Sequence, residues 1–119
     1  MKELTEKEME LMGILWDEPE GLTMRELYDK MPEPRTHFNT VSTFIRRLEE
    51  DGFVSHHAIA GRLFRYFAKI TRLEYEKKEQ KSFINRFFNG SSFDFVKHLV
   101  KEEEINKEEL EELLNLIKK

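Results

Sequence analysis

The chain has 119 residues and a net charge of −4, from 20 Lys and Arg against 24 Asp and Glu, and 39% of it is hydrophobic. That length predicts one domain or one domain with a small appendage, and ten Phe, three Tyr and one Trp exclude a disordered composition. The absence of Cys excludes disulfides, thiolate metal sites and cysteine nucleophiles, and no apolar run reaches the length of a membrane span.

In chain order, four helix entrances are marked by a capping oxygen three residues before a Glu: Thr5 and Glu8, Thr23 and Glu26, Thr71 and Glu74, Asn106 and Glu109. The first helix is predicted over 6–16, with Met9, Leu11 or Met12, Leu15 and Trp16 inward, ending at the Pro19–Gly21 stretch. A second runs from 24 to 30 and buries Leu27 and Tyr28. Met31-Pro32-Glu33-Pro34 is a stiff turn, because proline restricts itself and its predecessor. The third helix covers 37–50, with Phe38, Val41, Ile45 and Leu48 as its buried stripe and Gly52 as its stop. Periodicity then shifts towards two, over Phe53–Ala58 and Leu63–Ala68 around a turn at Ala60-Gly61, which reads as a β-hairpin. Helix, helix, turn, helix, hairpin is the order of a winged helix-turn-helix domain, assigned to residues 1–70.

Residues 71–119 read as three helices, 72–88, 93–101 and 107–118, broken at Asn89-Gly90-Ser91-Ser92. Phe83, Phe87, Phe88, Phe95 and Leu99, with the Leu110, Leu113, Leu114, Ile117 stripe, exceed what so short a segment buries alone. A second copy would cover them, so this part is expected to be a helical dimerisation domain; a small-ligand pocket is the weaker reading of the same stripes. The predicted fold class is thus mainly α, in the α+β sense.

Charge is unevenly laid out. Residues 1–34 carry four Lys or Arg against ten Asp or Glu, whereas residues 35–69 carry six against three. A basic middle in an acidic chain is where a polyanion would bind. There, Thr36, Asn39, Thr40, Thr43, Arg46 and Arg47 lie off the apolar stripe of the third helix. Asn pairs with adenine, Thr with base, phosphate or thymine methyl, and Arg with guanine or phosphate, so these residues are the candidate double-stranded DNA contacts. Arg62, at the hairpin turn, reads either as a contact to the flanking backbone or as a solvated turn residue.

No catalytic constellation is present: there is no glycine-rich phosphate loop, nucleophile elbow or His-Glu-x-x-His. His56 and His57 are adjacent on a strand and point to opposite faces, so they do not chelate together. Asp94 and His98 lie four apart on one helical face, a pattern that reads as a surface contact before a metal half-site. The expectation is a chain with no enzymatic activity, no metal and no cofactor.

Leu4–Trp16 resembles the opening helix of the penicillinase-repressor family, the BlaI/MecI/CopY transcriptional repressors. Residues 39–54, Asn-Thr-Val-Ser-Thr-Phe-Ile-Arg-Arg-Leu-Glu-Glu-Asp-Gly-Phe-Val, look like that family's recognition helix and its exit into the wing. Gly61-Arg62-x-Phe64-x-Tyr66 is similar to its second wing strand, and residues 82–90 resemble the start of its C-terminal segment. The resemblance implies a cytoplasmic homodimeric repressor that binds an operator dyad through winged helices, without membrane insertion, in a β-lactam-resistance-like or related stress operon. In the β-lactam branch it also implies release from DNA when a membrane sensor-protease pathway cuts the C-terminal domain. The chain departs from the pattern with Asn39 where many members have Lys, with no Cys for the copper branch's switch, and with His98-Leu99 aligned at the Asn-Phe cleavage position. A winged-helix protein-interaction module that binds no DNA is the alternative function.

Overall fold

The computed structural model of the chain describes residues 1–118. The protein divides into two compact units, Met1–Glu76 and Lys77–Lys119. The elements run α1 (Glu6–Trp16), α2 (Met24–Asp29), α3 (Phe38–Glu50), β1 (Val54–Ala60), β2 (Leu63–Ala68), α4 (Arg72–Phe88), α5 (Ser92–Lys101) and α6 (Lys107–Ile117). Helix α4 starts in the first unit and continues into the second.

In the first unit, α1 begins at a reciprocal cap. The Thr5 hydroxyl accepts the Glu8 N–H at 3.3 Å, and the Glu8 carboxylate accepts the Thr5 N–H at 2.9 Å. Leu11, Met12 and Leu15 are its buried face. Met9, expected inward, is exposed, because the stripe centres on the Leu11–Leu15 spacing and turns Met9 outward. Trp16 is half-buried, its indole N–H donating to the Ile70 carbonyl at 2.8 Å. Leu4 joins the core, its N–H donating to the Tyr75 hydroxyl at 2.8 Å and so tying the chain start to α4.

Lys2 bridges Glu8 at 2.7 Å and Asp51, the C-cap of α3, at 2.9 Å. Burial pushes the Glu8 carboxyl up, but the Lys2 ammonium and the hydrogen bonds with Thr5 outweigh burial and hold it below the usual carboxylate range. The hydrogen bonds to Glu8 and Asp51 raise the Lys2 ammonium correspondingly.

Helix α3 buries Val41, Ile45 and Leu48 completely, while Phe38 and Phe44 are half-buried. Phe38 meets Tyr28 of α2 edge-on, with ring centroids 5.2 Å apart. Each fully buried aliphatic side chain contributes about 1.5–3 kcal/mol, which fixes the face α3 turns to the core and hence the face it leaves out. Gly52 reverses the chain at φ 86°, and Phe53 enters the core fully buried, its N–H on the Leu48 carbonyl at 2.9 Å.

Strands β1 and β2 pair antiparallel from Val54 opposite Ala68 to Ala58 opposite Phe64, and Ile59 is an extra residue before Ala60 meets Leu63. The segment before α2 adds a single bridge, in which Leu22 and Tyr66 exchange N–H···O bonds of 2.9 and 2.8 Å. Gly21 permits this approach. Its φ is 88°, and a Cβ there would lie 2.7 Å from the Tyr66 carbonyl oxygen.

The second unit is built differently. Ile84 is its one buried large apolar side chain among the described residues, and α5 and α6 bury none completely. Phe83, Phe88 and Phe95 form a ring cluster with centroid separations of 5.0–6.0 Å.

Candidate nucleic-acid interface

The side of α3 opposite Val41, Ile45 and Leu48 presents Asn39, Thr40, Thr43, Arg46 and Arg47, all exposed. Positions 39, 43, 46 and 47 recur at helical spacing, so these groups share one face. Thr36 lies one residue before the N-cap and is half-buried; it adjoins this face and is not part of the helix. The Thr43 hydroxyl donates to the Asn39 carbonyl at 3.0 Å, which keeps the side chain in one rotamer and leaves its oxygen as an acceptor.

The arginines sort into two groups. Arg65 donates to the Gly21 carbonyl at 3.0 Å and lies 3.7 Å from Glu26, and Arg35 pairs with Glu33 at 3.2 Å while lying over the Tyr28 ring. Those guanidinium groups are engaged within the chain. Arg46, Arg47 and Arg62 enter no ion pair among the described residues. Of the carboxylates that end α3, Glu49 is bonded to His56 Nδ1 and Asp51 to Lys2, and Glu50 lies within ion-pair distance of neither Arg46 nor Arg47.

Arg62 sits beside Gly61 at the hairpin turn, on the rim of a groove of about 300 Å³ whose walls include Thr23, Arg25, Phe38, Phe64 and Tyr66. The groove therefore runs between the first turn of α2, the start of α3 and the wing. The Thr23 backbone N–H donates to the Glu26 carboxylate at 2.9 Å and is the chief cause that holds this carboxyl below its usual range. Two groups here escaped the sequence reading. Arg25 is a second cation of this groove beside Arg62, 3.9 Å from Asp29, and its position two residues past the Thr23 cap was the available signal. His37 caps α3, its Nδ1 accepting the Asn39 N–H at 3.2 Å; histidine is outside the usual capping set, so no signal marked it.

The remaining candidates have other surroundings. His56 packs on Phe64 and Tyr66, and His57 on Phe67, on opposite faces of the hairpin. Asp94 lies 3.8 Å from Lys97, and His98 stacks near Phe88 at 5.6 Å. No group of three His, Cys, Asp or Glu able to hold a metal occurs among the described residues. Of the candidate assembly residues, Phe88, Phe95, Leu99 and Leu110 are half-buried, whereas Phe83, Phe87, Leu113, Leu114 and Ile117 are exposed. His98 and Leu99 lie inside α5, their carbonyls accepting the Glu102 and Glu104 N–H groups at 3.0 and 2.9 Å. No helix among the described residues is long and apolar enough to cross a membrane.

Known proteins share this fold. The structure is similar to MepR, a transcription regulator of the Staphylococcus aureus multidrug efflux pump MepA, with a TM-score of 0.53 and 22% identity over 96% of this chain and 76% of that one. It is similar to Streptococcus pneumoniae FabT in complex with DNA, with a TM-score of 0.51 and 20% identity over 98% and 80%. At such identity these likenesses carry the fold alone, a winged helix. In sequence the chain is 27% identical over 116 residues to a penicillinase repressor of Bacillus licheniformis, covering 97% of this chain and 89% of that protein. It is 26% identical over 117 residues to the methicillin resistance regulatory protein MecI of Staphylococcus aureus (strain N315), covering 98% and 94%. The penicillinase repressor family model matches residues 4–119, so the chain belongs to that family, whose members are transcriptional repressors rather than enzymes.

Proposed function

We propose that two copies of this chain occupy an operator dyad, each α3 in a major groove and each hairpin against the flanking backbone, and repress transcription by excluding polymerase from the promoter. The observation that carries the reading is the outer face of α3, where Asn39, Thr40, Thr43, Arg46 and Arg47 are exposed together and both arginines lack carboxylate partners. An α-helix bearing base-pairing and phosphate-pairing groups on one face fits a major groove. The names of the relatives and the DNA in the FabT structure support the same reading. The family disfavours a protein-interaction module that binds no DNA.

The homodimer is supported by the second unit, which leaves Phe83, Phe87, Leu113, Leu114 and Ile117 exposed in a single copy. Release through a membrane sensor-protease pathway would require α5 to open, because the carbonyls of both His98 and Leu99 are engaged in backbone hydrogen bonds. Gel shifts on promoter fragments at graded salt test the operator reading. If Arg46, Arg47 and Arg62 of each copy meet phosphates, the slope of log K against log salt is about −5, roughly a thousandfold loss of affinity between 50 and 200 mM. Binding insensitive to salt refutes it.

A further inference from the structure

A cavity of about 250 Å³ opens at the C-terminal end of α1, lined by Leu15, Trp16, Pro19, Ala68, Thr71 and Arg72. None of these residues belongs to α3 or to the hairpin turn, and the operator reading uses none of them. Four of the six supply an apolar wall with one aromatic face. The indole N–H of Trp16 is committed to the Ile70 carbonyl at 2.8 Å, and Tyr75 backs the ring at 6.0 Å, so the indole is fixed in place.

The rim carries a cation with donors to spare. The Arg72 guanidinium lies 5.0 Å over the Trp16 ring. Its nearest carboxylate, Asp17, is 3.8 Å away, beyond hydrogen-bond reach, with a side chain 80% exposed. Among the described residues the guanidinium donates no hydrogen bond, so its planar fork remains available. Beside it, the Thr71 hydroxyl oxygen accepts the Glu74 N–H at 3.1 Å, which leaves the hydroxyl proton uncommitted.

An apolar slot against an aromatic face, with a guanidinium that donates no hydrogen bond and a hydroxyl at one end, is complementary to a flat apolar body ending in a carboxylate. The volume falls just below the roughly 300–1,000 Å³ of drug-sized sites, which limits the occupant to about one ring. We infer that this cavity binds single-ring aromatic monocarboxylates, the ring lying along Trp16 and the carboxylate pairing with Arg72. The carboxylate displaces Asp17, whose solvated pairing at 3.8 Å is weak. Arg72 then makes the forked, charge-assisted pair that Asp17 is too distant to make. Because Thr71 and Arg72 form the cap and first residue of α4, an occupant would be bonded directly to the start of that helix.

Trp16 is the chain's single Trp, so its fluorescence reports the cavity without a label. The full-length protein, free of DNA, is titrated at constant ionic strength with benzoate and with neutral benzamide, with calorimetry as the second readout. The expected result is saturable benzoate binding with a Kd on the order of 1 mM, at least about tenfold tighter than benzamide. Arg72→Gln should remove that preference, and Arg72→Lys should restore part of it. Ala68→Leu, which fills the slot and keeps the cation, should weaken both ligands. The inference is overturned by the absence of saturation at about 20 mM, by equal affinities for benzoate and benzamide, or by Arg72→Gln binding benzoate like the native chain. The comparison of the two ligands on the native protein decides the matter even if a variant folds poorly.

Discussion

Gly21→Ala and Gly52→Ala form a matched pair that isolates one contact between the α2 entrance and the wing. Both glycines have left-handed φ, 88° and 86°, so each alanine carries the same backbone cost of about 1–2 kcal/mol. At Gly52 a Cβ meets nothing within 4 Å, and the cost ends there. At Gly21 the Cβ lies 2.7 Å from the Tyr66 carbonyl oxygen, 3.2 Å from its carbon and 3.3 Å from the Phe67 Cβ. Two of those atoms are backbone of β2, which moves away only by giving up the reciprocal Leu22–Tyr66 hydrogen bonds of 2.9 and 2.8 Å. At about 1 kcal/mol net each, the loss brings Gly21→Ala to about 3–4 kcal/mol, against about 1–2 for Gly52→Ala. Domains of this kind have about 5–15 kcal/mol in total, so the difference is large on that scale. Urea unfolding at one protein concentration, followed by Trp16 fluorescence and circular dichroism, measures both. Equal destabilisation by the two alanines would refute the argument that this bridge anchors the hairpin.

Arg46→Ala and Arg62→Ala should weaken operator and non-operator DNA alike and each lower the salt slope by about 2 per dimer, whereas Asn39→Ala and Thr43→Ala should chiefly erode the preference for operator; competition gel shifts separate the two patterns. Glu8 is held below the ordinary carboxylate value of 4.5, so its contribution to stability is complete above that pH and is lost as pH falls below it. Glu8→Gln should therefore flatten the acid limb of a thermal-melting profile below about pH 4.5, and a profile parallel to the native one would contradict the Lys2–Glu8 account. Lys2 has the opposite sign: its raised value makes its contribution complete below 10.5 and lost as pH climbs beyond its folded value. Phe87→Glu and Ile117→Glu alter side chains 64% and 75% exposed in one copy, so they should shift sedimentation from dimer to monomer while leaving the first unit's melting unchanged.

The parts of the fold legible in the sequence were those written in local spacing. All four Thr or Asn and Glu cap pairs form, including Thr71 with Glu74 at 3.1 and 3.2 Å, because a capping box is satisfied within four residues whatever surrounds it. The α3 stripe was equally plain, since Val41, Ile45 and Leu48 repeat at helical spacing with polar residues and Phe44 between them. Contacts between distant positions carry no such period. Nothing local ties Leu4 to Tyr75, or Leu22 to Tyr66, and a single bridged residue has no alternation to detect. The start of α5 was likewise read a residue late, because Ser91 caps through Asp94 without a Glu or Gln to complete a box.

The outer face of α3, the candidate interface, was legible to the same extent and for the same reason. The residues on α3 follow from which face the core takes, so fixing Val41, Ile45 and Leu48 inward fixes Asn39, Thr43, Arg46 and Arg47 outward. Arg25 and the groove it shares with Arg62 needed the tertiary fold, because α2 and the hairpin turn are 37 residues apart in the chain at those positions. The two units differ in the physics that makes them stable. The first buries Leu11, Met12, Leu27, Ile45, Leu48 and Phe53 within one copy. The second offers Ile84 and a half-exposed phenylalanine cluster, too little apolar burial to offset the backbone entropy of its helices. Phe87, Leu113, Leu114 and Ile117 are the apolar surface that a partner would add to that burial. If a second copy covers it, assembly and the ordering of α5 are one equilibrium, and the backbone at His98 and Leu99 is protected to the degree that the dimer is formed.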